Sequence, residues 1–268
     1  MMIDEINQHL FENYADYLSG LTIAGVSVGL FMAAVQLSDG SIGIASAEAD
    51  QQIHCSKKDR DFGEFTPLRI LGRNVSDLLQ SPKQTSLVRT LKVAVLNAIS
   101  SELLKSERYQ VLSNTDPVDL LDLSGLKTIT IVGAFQSYVR KIAATRNHLH
   151  VLELNEQALM PEHRRYFVRA GEYAKVLPDS DMVIITGLTL VNNSLGHLLA
   201  SCNKNSTIIV TGPSSSVLPD VLFKHNVSML GGTRIIKPEL VMPLIEQGAA
   251  GYHLFEYCAE KICVLNKS

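Results

Sequence analysis

Four short apolar runs recur in the second half of this chain, each followed by a helical stretch. They are Thr128-Ile-Thr-Ile-Val-Gly133, Leu149-His-Val-Leu-Glu-Leu154, Met182-Val-Ile-Ile-Thr-Gly187 and Thr207-Ile-Ile-Val-Thr-Gly212. A strand that is apolar along nearly its whole length has no solvent face. Alternating such strands with helices gives a parallel sheet covered on both sides. A fifth run, Val227-Ser-Met-Leu230, extends the series, and Lys261-Ile-Cys-Val-Leu265 is expected as an edge strand. Residues 125–268 therefore read as a Rossmann-like domain.

The first half follows another pattern. Ile3, Ile6, Leu10, Phe11, Tyr14 and Tyr17 fall at helical spacing, predicting an amphipathic helix over 2–18. Leu21 to Leu37 is rich in β-formers, and Asp39-Gly40 before Ile42-Gly-Ile-Ala-Ser46 signals a hairpin. A short helix is expected at Asn74–Leu79 and a long one over Ser86–Leu104, with a broad apolar face. This gives an α+β domain over 1–108 and a polar, Pro117-containing linker over 109–124. The whole chain is α/β in class.

Composition limits the function. With 268 residues, 46% hydrophobic, 19% charged and a formal net charge of −3, the chain is globular and has no basic field for nucleic acid. Met1–Leu10 shows no basic stretch followed by an apolar one, so a signal peptide is not expected; no apolar stretch is long enough to span a bilayer as a helix, and a cytoplasmic protein away from membranes is expected. The four cysteines, Cys55, Cys202, Cys258 and Cys263, form no CxxC pair and read as reduced thiols.

In an open parallel sheet, ligands bind beyond the carboxyl ends of the strands. Three such ends carry small polar loops: Gly133-Ala-Phe-Gln-Ser137, Thr186 to Asn192, and Gly212-Pro-Ser-Ser-Ser216. Side by side they would share one crevice, where backbone N–H groups favour a polar ligand. Gly133, Phe135, Thr186, Asn192, Gly212, Pro213, Ser214 and Ser215 are the candidate lining. Plain turn chemistry competes with this reading: Gly212 and Pro213 can end the strand, and Ser215 or Ser216 can cap the next helix. The dinucleotide fingerprint G-x-G-x-x-G is absent after the first strand, and Glu153 falls inside the second. Asn97, in the middle of the long helix, either reaches into the crevice or pins a neighbouring loop, because a buried amide is costly unpaired. His54 and Cys55, with Glu48 and Asp50, are candidate metal ligands on the irregular 47–66 segment, without the spacing of a structural zinc site. No base is evident for Ser214 to Ser216 as nucleophiles, and no G-x-S-x-G elbow occurs.

The stretches Val183–Gly187, Leu190–Leu195, Thr211–Pro219, Asn226–Gly232 and Lys237–Val241 resemble the DUF364 family, whose label is heavy-metal chelation, in order over about 125–255. Leu71–Leu79 and Ala94–Ala98 are similar to DUF4213, the domain that accompanies it. The resemblance implies an enolase-N-terminal-like domain packed on a Rossmann-like domain, with a site at their junction. The expected function is binding of a small ligand between the domains by Asn97 and the three loops, in handling or making a metal chelate. The alternatives are a transferase with a nucleotide cofactor and a non-catalytic metal-binding protein. A divalent metal or a metal chelate is the expected cofactor or cargo, and a homodimer is one assembly open to the chain.

Overall fold

The computed structural model describes residues 1–47 and 61–266. The chain opens with α1 (Met2–Ser19), which buries Ile3, Ile6 and Leu10 on one face. A meander of β1 (Ile23–Val28), β2 (Met32–Leu37) and β3 (Ile42–Ser46) follows. It forms a three-stranded antiparallel sheet in the order β1-β2-β3. Gly40, at φ +90°, makes the tight β2–β3 turn that Asp39-Gly40 announced. Then come α2 (Val75–Leu79), capped by the Asn74 side chain, and the long α3 (Ser86–Leu103).

Helix α3 lies directly on the meander because Gly43 lets it. A Cβ built on Gly43 would stand 2.0 Å from the Ala94 carbonyl oxygen and 2.2 Å from the Ala98 nitrogen. The alternation along β2 and β3 divides the side chains cleanly. Ala33, Val35 and Ala45 face the core shared with α1 and α3, while Met32, Ala34, Ile42 and Ile44 face the other way.

The second half forms an eight-stranded sheet. Its elements, in order, are β4 (Gln110–Ser113), β5 (Thr128–Val132), α4 (Gln136–Ala143), β6 (His148–Glu153), β7 (Phe167–Arg169), α5 (Tyr173–Val176), β8 (Met182–Thr186), α6 (Leu188–Val191), α7 (Leu195–Ser201), β9 (Thr207–Thr211), α8 (Asp220–Lys224), β10 (Met229–Ile235), α9 (Pro238–Glu246), α10 (Gly251–Tyr257) and β11 (Ala259–Leu265). The spatial order is β4-β11-β10-β9-β8-β5-β6-β7. From β10 to β7 every pairing is parallel, and β11 is antiparallel to both β10 and β4. The architecture is α/β, with a Rossmann-like parallel sheet. Two expectations change here. The segment read as a linker carries β4, and β11 is flanked on both sides, so β4 rather than β11 is the edge. With residues that are half-buried or exposed, β4 shows none of the apolar signal of an interior strand.

One face of the parallel sheet is covered by α4, which packs Val139 and Ile142 against Ile129, Ile131 and Val151. The other face is continuous with the core of α1 and α3. The last helices return to the meander: Val241 and Ile245 of α9, with Leu254 of α10, cover Met32, Ala34 and Ile44. Each such aliphatic side chain contributes about 1.5–3 kcal/mol on full burial. The two halves of the sequence are therefore joined through apolar packing on two sides of the meander. No helix among the described residues is long and apolar enough to cross a membrane.

Candidate functional site

The loop after β9 is where the two halves meet. Gly212 adopts φ +124°, a left-handed conformation that favours glycine, and Pro213–Ser215 form a single 3₁₀ turn. Ser214 and Ser215 are fully buried. The Ser214 Oγ accepts from the Ser46 N–H at 2.8 Å. The Ser215 Oγ lies 2.7 Å from the Gly212 carbonyl oxygen and 2.5 Å from that of Gly231. The Ser216 Oγ accepts from the Thr233 N–H at 2.8 Å. Neither Ser215 nor Ser216 caps a helix, contrary to the turn-chemistry reading. Helix α8 starts only at Asp220 and has no side-chain cap. The serines instead satisfy backbone groups of β3 and β10, which press closely on this loop.

Asn97 completes the joint. It is 2% exposed, and its Nδ2 donates to the Ile44 carbonyl at 2.7 Å and the Pro213 carbonyl at 3.2 Å. The register of the hairpin gives these bonds meaning. Leu37 N–H bonds Ser41 and Ala47 N–H bonds Phe31, so the intervening Ile44 and Ser46 turn their backbone groups to the open edge of β3. Asn97 and Ser214 occupy that edge, one accepting from Ser46 and one donating to Ile44. The short amide reaches because Gly43 lets α3 approach. Asn97 thus pins the loop, and its Oδ1 stays buried without a partner among the described residues.

The other candidates line two pockets, not one. Phe135, Gly212 and Pro213 border a cavity of about 280 Å³, together with Pro117, Tyr138, Tyr252, Phe255 and Lys261. Gly133, Thr186 and Asn192 border another of about 390 Å³, with Leu152, Glu153, Tyr173 and His197. The β5–α4 turn separates them: Gly133 and Ala134 face the larger cavity, Phe135 and Ser137 the smaller. Asn192 also holds the chain between α6 and α7, its Oδ1 accepting from the Ser194 N–H (3.1 Å) and Oγ–H (2.7 Å).

The smaller pocket has residues that sequence reasoning missed. Asp116, 9% exposed, accepts from the Tyr138 hydroxyl at 2.6 Å and from the Lys261 ammonium at 2.6 Å. Burial pushes the Tyr138 phenol far above its ordinary value, and the hydrogen bond to Asp116 adds to the shift. Lys261 Nζ lies 5.7 Å from the centre of the Phe255 ring, and Phe135 stacks on Tyr138 with centroids 5.0 Å apart. The only signal available in the sequence was the i, i+3 spacing of Tyr252 and Phe255 in a helix. Nothing there tied them to Asp116.

The proposed metal ligands His54 and Cys55, like Glu48 and Asp50, lie outside the described residues. Among the described residues no three His, Cys, Asp or Glu side chains group as metal ligands. His148 and His150 sit on β6, and His225 turns away from the site to Glu5 at 2.6 Å.

Comparison with known proteins fits this architecture. The model of DUF364, described as "Putative heavy-metal chelation", matches residues 116–264. The chain belongs to the DUF364 family. The DUF4213 model, with the same description, matches residues 11–100. An uncharacterised protein of Methanocaldococcus jannaschii is 26% identical over 205 residues, 75% of each chain. A DUF364 protein of unknown function from Pyrococcus horikoshii superposes with a TM-score of 0.80 at 21% identity, covering 99% of this chain and 100% of its own. Another from Desulfitobacterium hafniense gives 0.72 at 17%, covering 97% and 99%. The latter two show that this fold is the DUF364 fold along the whole chain. The DUF364 match begins at Asp116, the carboxylate that holds Tyr138 and Lys261 of the aromatic pocket.

Proposed function

We propose that this protein binds a small planar organic acid of the chelating type, free or carrying its metal ion, in the pocket of Phe135, Tyr138, Tyr252, Phe255 and Lys261. The observation that carries this reading is the convergence of four aromatic rings and one ammonium group on a single cavity beside the carboxyl end of β9. Rings give a flat ligand its apolar faces, and an ammonium among them selects a carboxylate. The 2.6 Å ion pair with Asp116 fixes the position of that ammonium. Pro213 joins the pocket to the N-terminal half, because its ring lines the cavity while its carbonyl is held by Asn97. The heavy-metal description of both family models supports a chelator as the acid. The metal then arrives as part of the ligand, as cargo rather than as a resident cofactor.

Calorimetric titration with picolinate, alone and as its nickel complex, tests the reading. At least one form binds the wild type, and Lys261→Met weakens it by about tenfold, the worth of one charge-assisted hydrogen bond. Tyr252, 69% exposed, can be removed without disturbing the core, and Tyr252→Ala also weakens binding. Absence of heat with both forms, or affinities unmoved by both substitutions, refutes the proposal.

A further inference from the structure

The larger cavity lies at a different place in the sheet. The chain starts the parallel series at β5 and moves outward to β6 and β7. It then crosses back to β8 and runs outward the other way to β9 and β10. The direction reverses between β5 and β8. Helices on opposite faces leave a crevice there, at the carboxyl ends of the two strands. The cavity of about 390 Å³ fills that crevice, within the ~300–1,000 Å³ range of small-molecule sites.

Its chemistry is uneven in a useful way. Gly133, at φ +103°, ends β5; a Cβ there would press on Thr186 at 3.2 Å. Backbone is therefore presented to the cavity floor. Leu152, Tyr173, Leu188 and Leu198 make an apolar slot. Glu153 is the last residue of β6, at the slot's rim. Its Oε1 accepts from the Leu154 N–H at 2.7 Å, which fixes the carboxylate, while its Oε2 makes no hydrogen bond among the described residues. A carboxylate held by one oxygen, with the other free beside an apolar slot, suits the neighbouring hydroxyls of a sugar joined to a flat base. No Lys or Arg lines the cavity among the described residues. Phe135 and Tyr138 stand where the G-x-G-x-x-G turn needs its second and third glycines, and both side chains border the other pocket.

We infer that this cavity binds a nucleoside, its base in the apolar slot and its ribose 2′,3′-diol on Glu153, with no pyrophosphate on the β5–α4 turn. The site is independent of the aromatic pocket, and the shared turn places two ligands on either side of Gly133–Ser137. The deciding experiment is calorimetry of the full chain with adenosine, 2′,3′-dideoxyadenosine and NAD. Adenosine binds, dideoxyadenosine binds at least about tenfold more weakly, and Glu153→Gln weakens adenosine by a similar factor, since hydrogen bonds to a charged group are lost in both cases. NAD binds no more tightly than adenosine. Thermal melting of Glu153→Gln stays at the wild-type value, because the side chain is only partly buried. Tyr252→Ala leaves adenosine affinity unchanged, which separates this inference from the picolinate site. Equal binding of the dideoxy compound, an unaltered adenosine affinity in Glu153→Gln, or no adenosine binding at millimolar concentration overturns the inference. NAD binding more tightly than adenosine overturns its exclusion of pyrophosphate.

Discussion

Replacing Asn97 by alanine tests the joint between the two halves of the chain. The side chain is buried and donates to two carbonyls, Ile44 at 2.7 Å and Pro213 at 3.2 Å. Alanine leaves both acceptors without that donor. The Ile44 carbonyl is in the buried interface of α3 with the β3 edge, where an unpaired polar group costs about 1–3 kcal/mol. The Pro213 bond is longer and partly buried, and its loss adds about 1 kcal/mol. The expected destabilisation is about 3 kcal/mol. In a protein of this size that lowers the melting temperature by about 6–12 °C. Urea unfolding followed by circular dichroism measures it directly. Asn97→Asp is isosteric but turns a carboxylate toward two carbonyl oxygens, so at neutral pH it is less stable than Asn97→Ala. Its deficit shrinks in acid, where the protonated carboxyl can again donate. Ser214→Ala removes the other clamp on the same strand edge, two residues away at Ser46. The double variant is then less destabilised than the sum of the singles, because once one clamp is lost the other holds less. A loss under about 0.5 kcal/mol for Asn97→Ala, with strict additivity in the double variant, refutes the assignment of Asn97 to this joint.

Three further substitutions or conditions probe neighbouring parts of the argument. Gly43→Ala drives a methyl group into the α3 backbone at Ala94 and Ala98 and costs more than about 3 kcal/mol, seen as insoluble expression or a collapsed melting temperature. The Tyr138 phenol is raised in the folded state by burial first and by Asp116 second, so the stability it confers is complete below the ordinary phenol value and is lost as pH rises from there toward its folded value. Tyr138→Phe therefore flattens the fall in melting temperature above about pH 10, and an unchanged alkaline slope contradicts the assignment. Burial pushes the Cys202 and Cys263 thiols up to about 11, so at pH 8 both resist alkylation in the native protein and react only on unfolding, as peptide mapping by mass spectrometry reads out.

The parallel strands β5, β8 and β9 were legible because interior strands are apolar along their length, and three carboxyl-end loops followed from their ends. The strands that escaped are those whose neighbours, not their own residues, make them strands. Gln110–Ser113 is half-exposed at the sheet edge, and Phe167–Arg169 is only three residues long. Strand β10 was recognisable in Leu230, yet it continues through Gly231 and Gly232. These are poor strand formers that are required here because a Cβ on Gly231 would stand 2.3 Å from the Thr211 Oγ1. The same limit governs the site. Residue types in a loop announce that polar groups are present, but not which way they face. Ser214, Ser215 and Asn97 carry the hydrogen-bonding capacity expected of ligand groups, and the fold directs it inward, to backbone left unpaired by an open strand edge and a close glycine contact. What the loops leave for a ligand is their backbone and their apolar neighbours, Gly133 on one side of the β5–α4 turn and Phe135 on the other. The charged partners, Glu153 and the Asp116–Lys261 pair, come from strand ends and from a segment that reads as a linker. A charge becomes a candidate binding group here when the topology brings it to the carboxyl end of the sheet, and that placement depends on strand order, which no local pattern in the sequence encodes.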